Sequence, residues 1–338
     1  MKLKSIFVKG AAIAFCAGLF ALPTFAQDAD EQSSGTGNAF LDNTTFYITT
    51  DFAYYPDSAA VPGTGDIFAP ITGGLGGLEG RVTGHADYKI ATPLSDNPLM
   101  AGDNVTLGAS FELTPVSVKP GLSVSFTPIA FLVFSAGAEI GSGWDFSLMN
   151  VQGMGRYNGT NYDSINFFNA AYYKFWAQGT FQFDTGAIFP GDWTHVVMMA
   201  SYQVNYQGLA GVDNKVAYKW QGSGSAVNGW QYYSSAILAY QMPLVLYRAG
   251  VMAEFEGHFS ANDYENYASY GGDFMTVSIA PLVQFQFDEH NQLAVLFGFS
   301  SRRRFTEAAS ETTNELSLTN SGREWYFKRV AFSYTYTF

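Results

Sequence analysis

Apolar and polar residues alternate with a period of two along most of this chain. In the stretch 78–92, Val82, Ala86 and Ile90 fall on one face. The opposite face carries polar side chains: Glu79, Arg81, Thr83, His85, Asp87 and Lys89. Because successive side chains of a β-strand point to opposite sides, this pattern predicts a strand between an apolar and a polar environment. Similar runs of about ten residues recur, which is the length that a tilted strand needs to cross a bilayer.

Twelve strands of this kind are predicted, with ten or fourteen as the alternatives. They lie at 44–54, 78–92, 104–115, 116–127, 130–141, 169–185, 193–207, 230–241, 245–259, 273–288, 292–304 and 323–338. Short turns and long polar loops alternate between them, except for a short connection at Thr114-Pro115. Such alternation is typical of membrane barrels. The predicted fold class is therefore all-β: a transmembrane, antiparallel, up-and-down β-barrel.

The first residues have the features of an export signal. Three lysines precede the apolar stretch 11–22, and small residues stand before a cleavage point at Gln27. The apolar stretch is too short for a spanning helix. We therefore predict a signal peptide at 1–26, a polar and disordered periplasmic leader at 27–43, and a barrel at 44–338.

Composition supports a membrane barrel and disfavours other classes. Aromatic residues make up 17% of the chain and charged residues only 14%, and glycine occurs 35 times. Beyond the signal peptide, no apolar run approaches the ~20 residues of a membrane helix. Without the three lysines of the signal peptide, 14 basic residues remain against 29 acidic ones. This acidic balance argues against nucleic acid as a partner.

The last residues, AFSYTYTF, end the chain on an aromatic strand. Phe332, Tyr334, Tyr336 and Phe338 share one face, and small hydroxyl residues share the other. This ending resembles the terminal strand of bacterial outer-membrane β-barrel proteins. The resemblance implies export by the Sec route, a place in the outer membrane of a diderm bacterium, and insertion by the barrel-assembly machinery. It also implies that these four aromatic residues form the assembly signal.

Strand parity assigns most charged residues to the barrel interior. The acids are Asp51, Glu79, Asp87, Glu112, Glu139, Asp184, Glu254 and Glu256. The bases are Arg81, Lys89, Lys119, Lys174, Arg248, Arg302, Arg304 and Arg329. Only Arg303 and Lys328 fall on the lipid face, where they are expected at the membrane interfaces. An Arg or Lys facing lipid at mid-depth costs ~2–4 kcal/mol, which explains the segregation.

The interior residues are open to two interpretations. Their charges either pair and fill a narrow tube or line a hydrated passage. For a passage, the candidate lumen and constriction residues are Arg81, His85, Asp87, Lys89, Arg248, Glu254, Glu256, His258, Arg302 and Arg304. In particular, Arg248, Glu254, Glu256, Arg302 and Arg304 are expected to project into the same constriction.

Catalytic chemistry has one candidate in the sequence. His258 and Ser260 share a strand face and resemble the His-x-Ser pair of lipid-deacylating barrels of the outer membrane. In those enzymes the pair lies toward lipid, whereas here parity places it inward beside Glu254 and Glu256. No spacing typical of a metal or nucleotide site occurs, so neither a metal nor a cofactor is predicted.

The sequence thus favours a monomeric, non-enzymatic outer-membrane pore that passes small solutes. The alternative is a structural or adhesive surface barrel with a plugged lumen, and a lipid-acting enzyme is a third possibility. Polar loops such as 261–272 and 305–322 suit either partner recognition or simple solvation. The partners expected are therefore outer-membrane lipid, the assembly machinery and small solutes.

Overall fold

The computed structural model of the protein describes residues 39–63, 67–92, 94, 102–147, 151–309 and 314–338. The predicted signal peptide and its cleavage point lie outside these residues, so the proposed domain boundaries stay a prediction. The described part of the leader forms one helical turn, α1 (Ala39–Asp42). The Thr44 hydroxyl donates to the Phe40 carbonyl, and the Phe40 ring stacks on Tyr88. These contacts explain why the end of the leader is ordered, contrary to the prediction.

Among the described residues, twelve strands close into one antiparallel barrel. The barrel strands are β1 (Thr44–Ser58), β2 (Ile71–Ala91), β3 (Asn104–Thr114), β4 (Ser117–Ile129), β5 (Leu132–Gly143), β8 (Tyr172–Asp184), β9 (Val196–Leu209), β12 (Gly229–Gln241), β13 (Leu246–His258), β14 (Thr276–Gln286), β15 (Asn291–Phe305) and β16 (Asn320–Thr337). The long loops contain the short strands β6 (Met154–Tyr157), β7 (Tyr162–Ser164), β10 (Tyr218–Trp220) and β11 (Ser223–Ala226). The predicted strand number and the predicted up-and-down fold are confirmed.

Pairing of the first and last strands closes the barrel. β1 pairs with β16 in antiparallel register, with Phe52 opposite Phe332. Each of the remaining barrel strands pairs with the barrel strand before it and the barrel strand after it in the chain. The connections after β2, β4, β8, β12 and β14 meet at one end, called here the short-turn mouth. The connections after β1, β5, β9, β13 and β15 meet at the other end, the long-loop mouth.

The outer surface of the barrel is apolar. On β12, Leu238 is 58% exposed, whereas Ser235 on the inward face is 2% exposed. Every barrel strand contributes a large exposed apolar or aromatic side chain: Phe52, Val82, Phe111, Leu122, Phe134, Phe175, Tyr202, Leu238, Val251, Ile279, Phe297 and Phe332. A closed sheet satisfies its backbone hydrogen bonds within itself, so this apolar belt can face hydrocarbon on all sides. None of the described helices is both long and apolar enough to span a membrane.

The predicted lipid-face position of Lys328 is wrong. The β15–β16 register shifts between Gly298, opposite Arg329, and Phe299, opposite Phe327. The shift leaves Lys328 as an extra residue on β16, which is a β-bulge. Lys328 is 8% exposed and lines the interior beside Arg329. The predicted lipid-face position of Arg303 is also wrong: near the long-loop mouth it lines the cavity, and its guanidinium packs on the buried Tyr270 ring at 4.0 Å.

The long loops pack together into what we call the cap, formed by residues 151–171, 210–228, 261–275 and 314–319. The four short strands make a sheet in the order β11-β10-β6-β7. Aromatic side chains fill its interior and join it to the turn Ala261–Tyr270: Tyr157, Tyr162, Tyr218, Trp220, Tyr264 and Tyr270. Lys219 lies 4.8 Å from the centre of the Tyr162 ring, and burial lowers the pKa of its ammonium group. These contacts give the cap an apolar core of its own above the barrel.

The C-terminal residue makes few contacts of its own. The Phe338 amide donates to the Phe46 carbonyl at 3.0 Å, and the ring contacts Tyr336 edge-on and is 68% exposed. If Phe338 belongs to the assembly signal predicted from the sequence, its removal should lower the amount of barrel assembled in the outer membrane severalfold. The same truncated chain should refold from urea into detergent with nearly unchanged stability. Normal membrane levels of the truncated chain would contradict this prediction.

Candidate functional site

Six charged residues of alternating sign cross the inner wall of the barrel. We call them the charge ladder: Asp51, Arg81, Glu112, Lys119, Glu139 and Lys174, one on each of β1, β2, β3, β4, β5 and β8. Arg81 lies 2.6 Å from Asp51 and 3.5 Å from Glu112. Lys119 lies 3.5 Å from Glu112 and 2.8 Å from Glu139. Lys174 is the register partner of Glu139. The ladder therefore carries three charges of each sign.

The strand register explains why the ladder forms. Each member faces inward, and the register sets Asp51 opposite Arg81, Glu112 opposite Lys119, and Glu139 opposite Lys174. Opposite charges on paired residues stabilise adjacent strands. The side chains are largely screened from solvent, with Glu112 at 7% exposure. Loss of one member would leave its neighbours with an uncompensated charge in a partly desolvated place, which is costly.

A second charged cluster lies on the opposite wall. Arg329 on β16 comes within 4.0 Å of Glu254 on β13, and the Tyr233 hydroxyl donates to Glu254 at 2.7 Å. On the ladder side, the Tyr55 hydroxyl of β1 donates to Glu79 of β2 at 2.9 Å. Because β14 and β15 separate the strands of Arg329 and Glu254, the ion pair crosses two intervening strands. Charged side chains therefore occur on both walls of the lumen.

One part of the inner wall is apolar. The cluster lies on β9, β12–β16 and β1, and comprises Ala53, Tyr55, Val197, Met199, Ile237, Ala239, Met252, Ala280, Leu282, Ala294, Leu296 and Ala331. All of these side chains are buried. The open space of the lumen therefore lies mainly against β2–β5 and β8, and against the parts of β1 and β9 outside this cluster.

A single cavity of about 1750 Å³ occupies this open space. Toward the short-turn mouth it is lined by Lys89, Asn104 and Thr127. Toward the long-loop mouth the same cavity is lined by Tyr270 and Glu307. All six members of the charge ladder line it between these ends. The cavity therefore extends past the ladder toward both mouths of the barrel.

The turn between β10 and β11 reaches from the cap to the charge ladder. The Gln221 side-chain amide donates to Glu112 at 2.7 Å and to the Ser117 hydroxyl at 2.9 Å. Its backbone has φ of 50°, and Gly222 follows with φ of 83°. The neighbouring Trp220 ring stacks on Tyr172 with centroids 4.5 Å apart. This turn narrows the lumen on the long-loop side of the ladder.

Comparisons with known proteins found similarity to solved structures only. No protein-family model matches the chain, and no curated protein matches its sequence. An outer membrane channel from Pseudomonas putida F1 is 11% identical, with a TM-score of 0.45, and the match covers 93% of this chain and 100% of that one. The β domain of the Bordetella autotransporter BrkA is 10% identical, with a TM-score of 0.43 and coverage of 88% and 100%. KdgM porin is 9% identical, with a TM-score of 0.34 and coverage of 87% and 99%. At these identities the likeness concerns the fold alone.

A closed twelve-stranded barrel with an apolar belt outside and charged side chains inside suits only a bilayer. The chain is a transmembrane β-barrel protein. Its four C-terminal aromatic residues, Phe332, Tyr334, Tyr336 and Phe338, all face outward, while Ser333 and Thr335 between them are buried. This outward face is the one predicted to carry the assembly signal.

The predicted lumen residues of this transmembrane barrel lie at several depths along the barrel axis. The following line the cavity: Arg81, His85, Asp87, Lys89, Glu256, His258 and Arg302. His85 stacks on Tyr47 with centroids 4.3 Å apart, and the Tyr47 hydroxyl donates to Asp87 at 3.1 Å. Sequence parity thus identified inward residues, but it did not show at which depth each one lies.

The structure does not bring the five expected constriction residues together. Arg248 contacts Gln241 and Gln284 near the short-turn mouth, six residues or ~20 Å along β13 from Glu254. Arg302 lies 2.5 Å from the buried Glu324 toward the long-loop mouth. Arg304 lies beyond it and contacts the Ser321 carbonyl. The charge ladder, which was not singled out in the sequence, crosses the inner wall of β1–β5 and β8 instead.

His258 is held in a structural network. Its Nδ1 lies 2.8 Å from Asp263 and its Nε2 lies 2.9 Å from the Gln231 amide. The Ser260 hydroxyl accepts a hydrogen bond from the Asn262 amide and so caps the following turn. Both ring nitrogens of His258 and the hydroxyl of Ser260 are therefore engaged elsewhere. Over the described ranges, no group of three or more His, Cys, Asp or Glu side chains is placed to hold a metal ion.

Proposed function

We propose that this outer-membrane barrel is a passive pore for small solutes. The observation that carries the proposal is the single cavity whose lining runs from Lys89 and Asn104, past the charge ladder, to Tyr270 and Glu307. A lumen with polar and charged walls favours hydrated solutes. The ladder balances its charges, so it would restrict size and orientation more than the sign of a solute.

The pore would act without a chemical step and as a single chain. His258 has no free ring nitrogen with which to activate Ser260, which argues against the lipid-acting alternative. The apolar belt includes a large side chain from each of the twelve barrel strands. Since lipid can cover the whole belt, a monomer needs no partner subunit. Insertion by the barrel-assembly machinery, read from the C-terminal strand, belongs to the same proposal.

A surface barrel with a blocked lumen is the second candidate. It is favoured by one observation: the hydrogen bond from Gln221 in the cap to Glu112 in the ladder. A cap held in this way could close the long-loop mouth. The two candidates differ in whether the purified barrel conducts ions.

Charge variants test the pore in planar bilayers. Lys174 on the ladder and Glu256 on β13 both line the cavity and carry opposite charges. Lys174→Gln should shift the reversal potential in a salt gradient toward cation selectivity, and Glu256→Gln should shift it toward anions, because each leaves one uncompensated charge in the lumen. The double variant serves as the control and should return close to the wild-type value.

Three results would separate the candidates. Opposite shifts with recovery in the double variant support the pore along this cavity. If the channels conduct but neither substitution changes the reversal potential, the ions do not pass along this cavity. Absence of conductance in all four proteins, each shown to be folded, would favour the blocked barrel.

A further inference from the structure

A flat aromatic surface lies on the lumen wall next to the last cation of the ladder. Trp176 on β8 follows Lys174 on the same face and lines the cavity. Its register partner across β5 is Gly137. A Cβ added at Gly137 would stand 2.6 Å from Cζ2 of the indole, so the glycine makes room for it. The indole therefore lies across the backbone of β5, with its other face toward the cavity.

Neutral polar side chains surround this indole. Three amides and three hydroxyls of β5, β8 and β9 line the same stretch of cavity: Gln178, Gln203, Asn205, Ser135, Thr180 and Ser201. The Gln203 amide donates to Gln178 at 3.1 Å, and the Gln178 amide donates to the Thr180 hydroxyl at 3.0 Å. These bonds hold the amides in place beside the indole. Past Lys174, the wall has changed from charged to neutral and polar.

An unsatisfied acceptor lies beside the indole. Asn205 is the register partner of Trp176 and is 3% exposed. Its Oδ1 has no hydrogen-bond partner among the described residues. Buried polar atoms of folded proteins are nearly always paired, so an unpaired one calls for an explanation such as a ligand donor. A hydroxyl group of a solute that reaches the edge of the indole would supply that donor after a small side-chain movement.

The chemistry of this wall matches a sugar ring. The C–H face of a pyranose stacks on an indole, and its ring hydroxyls both donate and accept hydrogen bonds, as amides and hydroxyls require. An aromatic solute without polar groups would stack on Trp176 and displace water from the amides. It would offer no hydrogen bonds in place of those that the amides make with water, which is costly. An ion would interact with the ladder rather than with this neutral surface.

We propose that Trp176, with Gln178, Gln203 and Asn205, forms a subsite that binds neutral carbohydrate inside the lumen. The proposal rests on the pore function and names a class of solute for it. A subsite of this kind would hold a sugar briefly beside the ladder and so reduce the ion current while it is occupied.

Block of the ion current by maltotriose tests the subsite. In planar bilayers, maltotriose should reduce the wild-type current in a saturable way. Trp176→Ala should weaken this block about tenfold, and Trp176→Phe should restore much of it, because a phenyl ring keeps a stacking surface. Trp230→Phe is the matched control, since Trp230 lies on the outer surface at 56% exposure. Its block by maltotriose should equal that of the wild type.

The outcomes distinguish the subsite from the pore. A conducting channel that benzyl alcohol blocks but maltotriose does not would overturn the carbohydrate subsite and leave the pore intact. Equal block by maltotriose in wild type and Trp176→Ala would also overturn it. If the barrel does not conduct, the pore fails, and titration calorimetry with maltotriose in detergent decides the subsite. A binding heat for maltotriose that is present in the wild type and absent in Trp176→Ala would then support the subsite. Absence of a binding heat in the wild type would refute it.

Discussion

Deletion of the β10–β11 hairpin, residues 218–226 replaced by two glycines, is expected to raise single-channel conductance severalfold. The hairpin brings Trp220 and Gln221 to the charge ladder, and most of its residues line the cavity. Conductance depends on the narrowest section of a passage, so removal of side chains there has a larger effect than removal elsewhere. The measurement is single-channel current in planar bilayers at a fixed salt concentration.

The control leaves the lumen untouched. Lys215 and Glu265 form an exposed ion pair on the surface of the cap. Alanine at both positions should leave conductance unchanged, because the substitutions do not touch the lumen. The variant should also fold normally, since exposed ion pairs contribute little to stability. If the hairpin deletion yields a folded barrel with wild-type current, the hairpin is not the narrowest section and the cap does not regulate passage.

Phe111→Arg is expected to destabilise the barrel by ~2–4 kcal/mol, the cost of an arginine facing lipid near mid-depth. Phe111 is 54% exposed on the outer surface of β3, one residue from Glu112 of the ladder. Urea unfolding of the barrel in lipid vesicles measures the loss.

Ser110→Arg is the matched variant on the other face of the same strand. Ser110 lines the cavity, and its register partner His85 lies two residues from Asp87 on β2. We expect this variant to lose much less stability, because its charge remains hydrated and near a carboxylate. Equal losses at both positions would show that the assigned inside and outside of β3 are wrong.

The barrel could be predicted from the sequence because lipid enforces a simple rule. In a strand that faces hydrocarbon on one side only, apolar and polar residues must alternate. The period of two at 78–92 therefore identified β2, although β2 itself begins earlier, at Ile71. The rule fails where the backbone departs from regular pairing. At Lys328 a bulge adds one residue, and the sequence carries no clear mark of it.

The depth of each inward side chain along the barrel and the structure of the long loops could not be predicted from the alternating pattern. Parity placed Arg248 and Glu254 on one inner face, but the register with neighbouring strands decides which charges meet. Glu112 and Lys119 meet because the short connection at 115–116 pairs β3 with β4 directly. The cap depends on contacts among distant loops, such as Gln221 with Glu112, that no local pattern reveals.

Trp176 was missed although a signal was present. It is a large aromatic residue on the polar face of its strand, between Lys174 and Gln178. Large aromatic residues in this chain mostly serve the lipid belt, so its inward parity was the informative feature. Gly137, which makes room for it, could be recognised only once β5 and β8 were paired.

The alternation of sign along the charge ladder limits how far its field reaches. Neighbouring strands lie ~4.8 Å apart, so opposite charges follow one another at nearly that spacing. Like charges repeat every two strands, ~9.6 Å, and the potential of such an alternating row decays within a fraction of that repeat. This distance is much shorter than the ~10 Å over which 0.1 M salt screens an isolated charge. Added salt would therefore change little of what a passing molecule experiences. Only a molecule in contact with the wall would interact with the individual charges. A dipolar molecule there would be oriented by the alternating field.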